Sequence, residues 1–238
     1  MNISKKPKIN IVEEVPGVSV YSLSGDPLFD FPGEVVAGMR HLITRLHSRE
    51  GLPRRLAMVA ALRSEGVSYL SQALAATLAT DLDKNICLVD LNFWWPGPLE
   101  FPEDHYASLS EVIANEASLN DAVIPTELPN LSIVIAGSIP RNSRTTVAYS
   151  PRLSEVIEEL SDRFDMLILD IPAVLATTDA VALAGFGTAA CLVIHQGVTK
   201  MDDVYQALDE IEHLDILGVV MNRIKMHTPP QIVKMTAF

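Results

Sequence analysis

Short apolar runs alternate along this chain with segments in which apolar residues recur every three or four positions. The apolar runs are RLAMVAAL (55–62), NICLVDL (85–91), LSIVIAG (131–137), DMLILDI (165–171), AACLVIHQ (189–196) and ILGVVMN (216–222). Helical patterns lie around residues 67–80, 108–124, 150–163, 178–185 and 200–213. Runs that are apolar throughout are typical of strands buried on both faces, and their alternation with helices predicts a parallel sheet. We expect an α/β fold with a three-layer, doubly wound, mostly parallel sheet of at least six strands.

The segment before the first strand divides into an arm and a helix. Residues 1–32 carry four prolines and no sustained periodicity, so we expect an extended arm that contributes no core element. A helix is predicted from residue 33, and its apolar face is formed by Val35, Met39, Leu42 and Leu46. The predicted domain therefore spans residues 33–226 and is followed by a tail of residues 227–238.

Composition and charge restrict the classes of protein to which the chain can belong. With 48% hydrophobic and 20% charged residues, the chain of 238 residues is predicted to be globular. Its net charge of −12 repels phosphate backbones, so we expect no nucleic-acid partner. Cys87 and Cys191 both lie in apolar runs, which favours buried thiols over a disulfide. No apolar run is long enough to cross a membrane and no signal peptide is recognisable, so we expect a cytoplasmic protein.

The loop after the first predicted strand has part of the pattern of a phosphate-binding loop. Such loops surround phosphates with backbone N–H groups and a helix N-terminus, and they add a lysine and a magnesium-binding hydroxyl. In SEGVSYL, Gly66 and Ser68 supply the turn glycine and the hydroxyl, but Val67 stands where the lysine is needed. Taken alone, the fragment fits an ordinary strand-to-helix turn better than a phosphate site.

Two carboxylates change that interpretation. Asp90 and Asp170 each end a predicted strand, and the carboxyl ends of parallel strands meet at one edge of the sheet. A buried carboxylate is unfavourable unless it is paired, hydrogen-bonded or near a metal. Two of them beside the loop suit a magnesium ion, with Ser68 as a third oxygen ligand.

Five segments in order resemble a known family. They are RSEGVS (63–68), DLNFWWP (90–96), AGSIPRN (136–142), LDIPAV (169–174) and TDAVALA (178–184). The chain from about residue 33 to 225 resembles the cytoplasmic kinase domain of bacterial tyrosine kinases of capsule and exopolysaccharide synthesis. Those domains are similar to the ParA/MinD group of P-loop ATPases. Their patterns read P-G-E-G-K-S/T, D-x-D-x-R-x-P, A-G-x-x-P-P-N-P, I-I-D-x-P-P and T-D-A.

The resemblance implies a P-loop NTPase-like fold with ATP and magnesium as cofactors. It assigns the nucleotide to Gly66, Val67, Ser68, Tyr69, Asn222 and Arg223, with Asn222 at the adenine. It assigns magnesium to Ser68, Asp90 and Asp170, and gives the two aspartates any remaining catalytic role. It also implies a membrane polysaccharide co-polymerase or an active kinase homologue as partner, which would bring the chain to the inner face of the plasma membrane.

The chain departs from the family pattern at the positions that carry charge. Besides Val67 in place of the lysine, Asn92 replaces the second acid of D-x-D, and Trp94 and Trp95 stand where arginines usually follow. A unit charge about 4 Å from a phosphate oxygen is worth roughly 4 kcal/mol at an effective dielectric near 20. Losing it from the transition state alone costs about a thousandfold in rate. The tryptophans suit either a partner-binding platform or local packing that fills the nucleotide space.

The segments that the family uses for assembly and autophosphorylation are also altered. The E-x-x-R-x-x-R helix of ring assembly reads Glu34, Ala37 and Arg40, so its middle arginine is missing. The tail after residue 226 contains no tyrosine. We therefore expect a monomer or dimer alone, with Glu34, Arg40, Trp94 and Trp95 as candidate interface residues.

Three functional hypotheses follow. The first is a pseudokinase-like cytosolic component of exopolysaccharide or capsule biosynthesis and export, which docks on or regulates the co-polymerase. The second is a weakly active ATP-dependent tyrosine kinase or ATPase that uses Arg63, or a residue of another subunit, in place of the lysine. The third is a positioning ATPase of the ParA/MinD type, whose dimers supply a lysine from the start of the loop, where this chain has Leu62.

Overall fold

The computed structural model of the chain describes residues 15–48, 51–95 and 106–224. Its strands are β1 (Val18–Tyr21), β2 (Pro27–Phe31), β3 (Arg55–Ala60), β4 (Ile86–Asp90), β5 (Ile124–Pro125), β6 (Leu131–Val134), β7 (Met166–Asp170), β8 (Ala189–His195) and β9 (Asp215–Asn222). The helices are α1 (Gly33–His47), α2 (Val67–Asp81), α3 (Leu109–Ile113), α4 (Leu119–Ala122), α5 (Arg144–Ala148), α6 (Pro151–Arg163), α7 (Asp179–Ala184) and α8 (Met201–Glu210). The predicted tail and the first residues of the predicted arm lie outside the described residues.

Seven strands form one sheet in the order β5–β6–β4–β7–β3–β8–β9. All neighbouring pairs are parallel except β5 with β6. Side chains of one strand alternate between two cores: Leu56 and Met58 of β3 pack with α1 and α2, whereas Ala57 and Val59 pack with α6, α7 and α8. This arrangement confirms the predicted three-layer fold, because the apolar strands are covered on both faces.

The structure differs from the predicted pattern between residues 108 and 124. Two short helices, α3 and α4, replace the single helix, because two serines each begin a new helix. Ser108 with Glu111, and Ser118 with Asp121, form capping boxes in which each side chain bonds the backbone of the other residue. The two-residue strand β5 was not predicted, since a run that short has no measurable periodicity.

The expectation that residues 1–32 contribute no core element is wrong for residues 18–31. Strands β1 and β2 form an antiparallel hairpin whose inward side chains belong to the core beneath α1 and α2. Val20 is fully buried and Phe31 is 2% exposed. The hairpin was not predicted because prolines in this segment indicated a loop. Pro27, however, is the first residue of β2, a position at which a strand tolerates proline.

The structure can be compared with the expectations about cysteine burial and about membrane-spanning segments. Cys87 and Cys191 are free and buried, as predicted, and burial raises the pKa of the Cys87 thiol. None of the helices within the described ranges combines the length and the apolar character that spanning a bilayer requires.

The hairpin packing can be tested by shortening Phe31 to alanine. Because this ring is almost fully buried, Phe31→Ala should lower the free energy of unfolding by about 3 kcal/mol or more. Leu23→Ala is the matched control, since Leu23 lies in the same hairpin and is 62% exposed. Urea titration measures both. Equal effects of the two changes would show that the hairpin is not part of the cooperative core.

Candidate functional site

The loop between β3 and α2 has the shape of a phosphate-binding loop. Its backbone enters the left-handed region twice, with φ of 65° at Ser64 and 94° at Gly66. A Cβ atom at Gly66 would lie 2.2 Å from Nδ2 of Asn222, so this position requires glycine for both conformation and space. Helix α2 begins at the next residue, which places a 15-residue helix N-terminus at the loop.

The buried carboxylate of Glu65 connects the loop by hydrogen bonds to other segments at the sheet edge. Glu65 is 3% exposed, and its Oε2 accepts a hydrogen bond of 3.0 Å from the backbone N–H of Leu62. Its Oε1 accepts a hydrogen bond from the hydroxyl of Thr199, which in turn accepts one of 2.9 Å from the N–H of His195. Sequence reasoning missed this network, because Thr199 is 134 residues away from Glu65 and belongs to no motif.

Asn222 takes part in holding the same loop. Its Nδ2 donates a 2.8 Å hydrogen bond to the backbone oxygen of Glu65, and its Oδ1 accepts one of 2.8 Å from the N–H of Arg223. Asn222 is therefore beside the loop, as the motif predicts, but its amide already bonds the protein on both sides. The side chain of Arg223 is exposed, and its backbone is left-handed, with φ of 54°. The predicted contact of both residues with the nucleotide, and of Asn222 with adenine, stays a prediction.

The residue that replaces the loop lysine lies in the apolar core. Val67 is the first residue of α2, is 8% exposed, and packs with the core beneath α1 and α2. Ser68 is the next residue and also lines the cleft at the loop. The fold thus has a residue at the position of the lysine, but the side chain of that residue, Val67, brings no positive charge to the cleft.

Asp90 and Asp170 lie side by side at the sheet edge, as the sequence predicts. They are register partners in the parallel pair β4–β7 and are 8% and 5% exposed. The N–H of Asn92 donates a 2.7 Å hydrogen bond to Oδ1 of Asp90, whereas Oδ1 of Asp170 has no hydrogen-bond partner among the described residues. Burial and the nearby charge of Asp90 raise the pKa of Asp170, and a hydrogen bond from Ser68 opposes that shift.

These residues fit a divalent cation. An orphaned buried carboxylate oxygen next to a hydroxyl is an arrangement that magnesium, which prefers oxygen ligands, would stabilise. No group of three or more His, Cys, Asp or Glu side chains suited to a metal is found within the described ranges. The assignment of magnesium to Ser68, Asp90 and Asp170 stays a prediction, and a bound phosphate would have to complete the coordination.

A stacked pair of side chains borders the cleft. The guanidinium carbon of Arg63 lies 4.0 Å from the ring centroid of Trp95, and the backbone N–H of Trp95 donates a 3.1 Å hydrogen bond to Oδ1 of Asn92. The cleft has a volume of about 200 Å³, below the roughly 300–1,000 Å³ typical of ligand pockets. Tyr69 also lines it, and its ring packs edge-on against Phe31 at 5.3 Å.

Trp94 and Trp95 have different surroundings. Trp94 is half-buried against the core beneath α6, 6.4 Å from Phe93 between ring centroids, and Arg144 lies 5.6 Å from its ring. Trp95 faces the cleft at the loop instead. These contacts match the packing alternative considered for the two rings, and sequence reasoning had not identified Arg144 as a neighbour.

The residues of the assembly motif lie on α1. Glu34 is exposed in its first turn, and Ala37 is part-buried one turn later. Arg40 makes a bidentate ion pair with Asp81, the last residue of α2, at 2.6 and 2.8 Å. The guanidinium that the motif assigns to a neighbouring subunit is therefore already paired within the chain.

Comparison with known proteins identifies the lineage. No family model matches the chain. Tyrosine-protein kinase ptk of Acinetobacter johnsonii is 28% identical over 164 residues, and tyrosine-protein kinase CpsD of Streptococcus agalactiae is 26% identical over 179 residues. The chain is similar in sequence to bacterial tyrosine kinases. The resemblance inferred from the five motifs is thereby confirmed.

The alignments cover different shares of these relatives. The match to ptk covers 67% of this chain but 22% of ptk, and the match to wzc of Salmonella typhimurium covers 90% of this chain but 30% of wzc, at 23% identity. The match to CpsD covers 71% of this chain and 75% of CpsD. The chain thus spans about a fifth to a third of two of these kinases and most of the third.

Solved structures show the same fold. The kinase domain of Escherichia coli tyrosine kinase ETK superposes with a TM-score of 0.71 at 22% identity, covering 84% of this chain and 80% of that domain. MinD of Pyrococcus horikoshii, solved with Mg-ADP, gives a TM-score of 0.59 at 23% identity over 77% of this chain and 76% of MinD. The P-loop NTPase fold is therefore common to the chain and to both groups.

Proposed function

We propose that this chain is a pseudokinase-like component of exopolysaccharide or capsule biosynthesis and export. Its fold is that of the tyrosine kinases it is related to, and its phosphate loop keeps their turn. The observation that carries the proposal is Val67, an apolar, 8% exposed residue at the position of the loop lysine. A loop of this shape without the lysine is suited to a domain that has kept its fold and its docking surfaces but not phosphoryl transfer.

Electrostatics support this proposal. The described edge of the sheet presents two neighbouring carboxylates, Asp90 and Asp170, and Val67 contributes no positive charge against them. ATP carries several negative charges, and at this edge its phosphates would meet the charge of Asp90 with no lysine to offset it unless magnesium bound first. In active enzymes of this fold, the lysine and the metal share that neutralisation. With magnesium but no lysine, both the affinity for ATP and the stabilisation of the transition state should be lower than in those enzymes.

The alternative hypothesis of a weak kinase or ATPase depends on Arg63. Its guanidinium lines the cleft, so a positive charge is present within the same loop. It is stacked 4.0 Å from the ring of Trp95, however, and a cation–π pair of this kind is worth about 0.5–2 kcal/mol that nucleotide binding would have to replace. The loop start is Leu62, so the lysine of the ParA/MinD type has no counterpart. These contacts favour the pseudokinase hypothesis.

Calorimetry with ATP and magnesium tests the proposal. We expect wild-type binding that is weaker than micromolar, because the loop lacks its cation. Val67→Lys should tighten binding by tenfold or more, since the loop already has the required turn. Val67→Met is the matched control, because it offers a long unbranched side chain without charge. Micromolar binding by the wild type would contradict the proposal, and no gain from Val67→Lys would show that Arg63 and Trp95 block the cleft.

The partner we propose is a membrane polysaccharide co-polymerase or an active kinase homologue. The proposal rests on the similarity to tyrosine kinases, which the resemblance associates with such partners. Docking on such a membrane protein would place the chain at the inner face of the plasma membrane. Nucleic acid is not proposed, because the net charge is −12.

Assembly through α1 should be weak in the isolated chain. Ala37 has no group that can pair with a carboxylate, and Arg40 is held by two hydrogen bonds to Asp81 of its own chain. We expect light scattering to show a monomer or dimer at all accessible concentrations. Asp81→Asn should free Arg40 without restoring the missing arginine, and so serves as the control. A stable octamer of the wild type would contradict the proposal and revive catalysis with residues supplied by a neighbour.

A further inference from the structure

The turn between β8 and α8, residues 196–200, lies against the loop between β3 and α2. Strands β3, β8 and β9 are neighbours in the parallel part of the sheet, so their carboxyl ends bring the loop, this turn and Asn222 together. Residues 196–198 are exposed, whereas Thr199 is part-buried and its hydroxyl bonds the buried carboxylate of Glu65. The turn therefore has one side in solvent and one side on the loop.

Two hydrogen-bond routes run from this turn to Glu65. In the first, the hydroxyl of Thr199 accepts a 2.9 Å hydrogen bond from the N–H of His195 and donates one to Oε1 of Glu65. In the second, the N–H of Gln196 donates a 3.1 Å bond to the backbone oxygen of Asn222. The side-chain Nδ2 of Asn222 then donates one of 2.8 Å to the backbone oxygen of Glu65. Because both routes end at the same loop residue, a displacement of the turn changes the bonds at two oxygens of Glu65.

The hydroxyl of Thr199 has two tasks in this network. A hydroxyl has one proton to donate and lone pairs with which to accept, and Thr199 uses both functions. Glu65 is 3% exposed, and its other carboxylate oxygen accepts the N–H of Leu62, at the start of the loop. Without the hydroxyl, Oε1 of this buried carboxylate would lose its bond, which is unfavourable. The carboxylate would then have to move to find another donor, and the bond to Leu62 would be strained or broken.

We propose that Thr199 is a positioning residue that couples the β8–α8 turn to the conformation of the loop through Glu65. While the hydroxyl bonds the carboxylate, the loop keeps its closed start at Leu62, and when the turn moves the loop opens. The coupling is reciprocal, because one interaction free energy links both segments, so opening the loop loosens the turn to the same degree. It operates without a nucleotide and does not depend on whether Val67 prevents phosphoryl transfer.

Hydrogen exchange of the purified full chain without nucleotide, followed by NMR, tests the effect of the turn on the loop. Thr199→Val removes the hydroxyl at nearly constant shape. The N–H of Leu62 should then exchange about tenfold faster or more, because an unsatisfied buried acceptor favours local opening. Thr199→Ser keeps the hydroxyl and should stay within about twofold of the wild type. Thr188→Val is the matched control, since Thr188 precedes β8 at its other end and its hydroxyl bonds Arg55 there.

Glu65→Met tests the opposite direction, because methionine is similar in length to glutamate and has no carboxylate oxygen. The N–H groups of Val198 and Thr199 donate to the backbone oxygen of His195 at 3.1 and 3.0 Å. Reciprocity requires that they also exchange about tenfold faster in this variant. If Thr199→Val does not fold, this variant decides the proposal alone.

Three results would overturn the proposal. The first is unchanged exchange of Leu62 in Thr199→Val, and the second is unchanged exchange of the turn in Glu65→Met. The third is an equal acceleration of Leu62 in Thr199→Ser or Thr188→Val, which would indicate a general loss of stability. Urea titration of each variant measures that loss directly, because it would also accelerate exchange in the central strands β4 and β7.

Discussion

The contact between Gly66 and Asn222 is the constraint on which the site depends. Glycine suits the left-handed backbone at residue 66 and leaves room for the amide of Asn222, which bonds the loop backbone at Glu65 from the end of β9. The buried carboxylate of Glu65 then fixes the start of the loop through Leu62 and connects it to Thr199. The shape of a phosphate-binding loop is therefore maintained by bonds within the protein, whether or not a phosphate is present.

The loop between β3 and α2 has the turn of a phosphate-binding loop but lacks the lysine charge that such loops carry. The chain has the turn, the helix N-terminus and two strand-end aspartates at one sheet edge, but at the position of the loop lysine it has an apolar side chain in the core. At the same edge, Oδ1 of Asp170 has no hydrogen-bond partner among the described residues, and burial and the nearby charge of Asp90 raise the pKa of this carboxyl group. A buried carboxylate in this condition is costly unless it is paired, hydrogen-bonded or near a metal.

Much of the fold could be predicted because the strands at the centre of the sheet are apolar throughout. This pattern can be recognised in the sequence without knowledge of the contacts. The hairpin of β1 and β2 could not, because its prolines resemble those of a loop and its burial depends on α1 and α2 packing over it. For the site, motif order brought Gly66, Asp90 and Asp170 to one sheet edge. The contacts Glu65–Thr199 and Arg63–Trp95 join distant segments that no local pattern relates, so only the structure reveals them.

The most direct measurement is release of phosphate from ATP by the purified full chain with magnesium, compared among the wild type, Asp170→Asn and Arg63→Ala. If the loop has lost its essential charge, the wild-type rate should equal that of Asp170→Asn and stay at background. Magnesium-dependent turnover that both substitutions abolish would contradict the account. It would show that Arg63 leaves the ring of Trp95 and takes the place of the missing lysine.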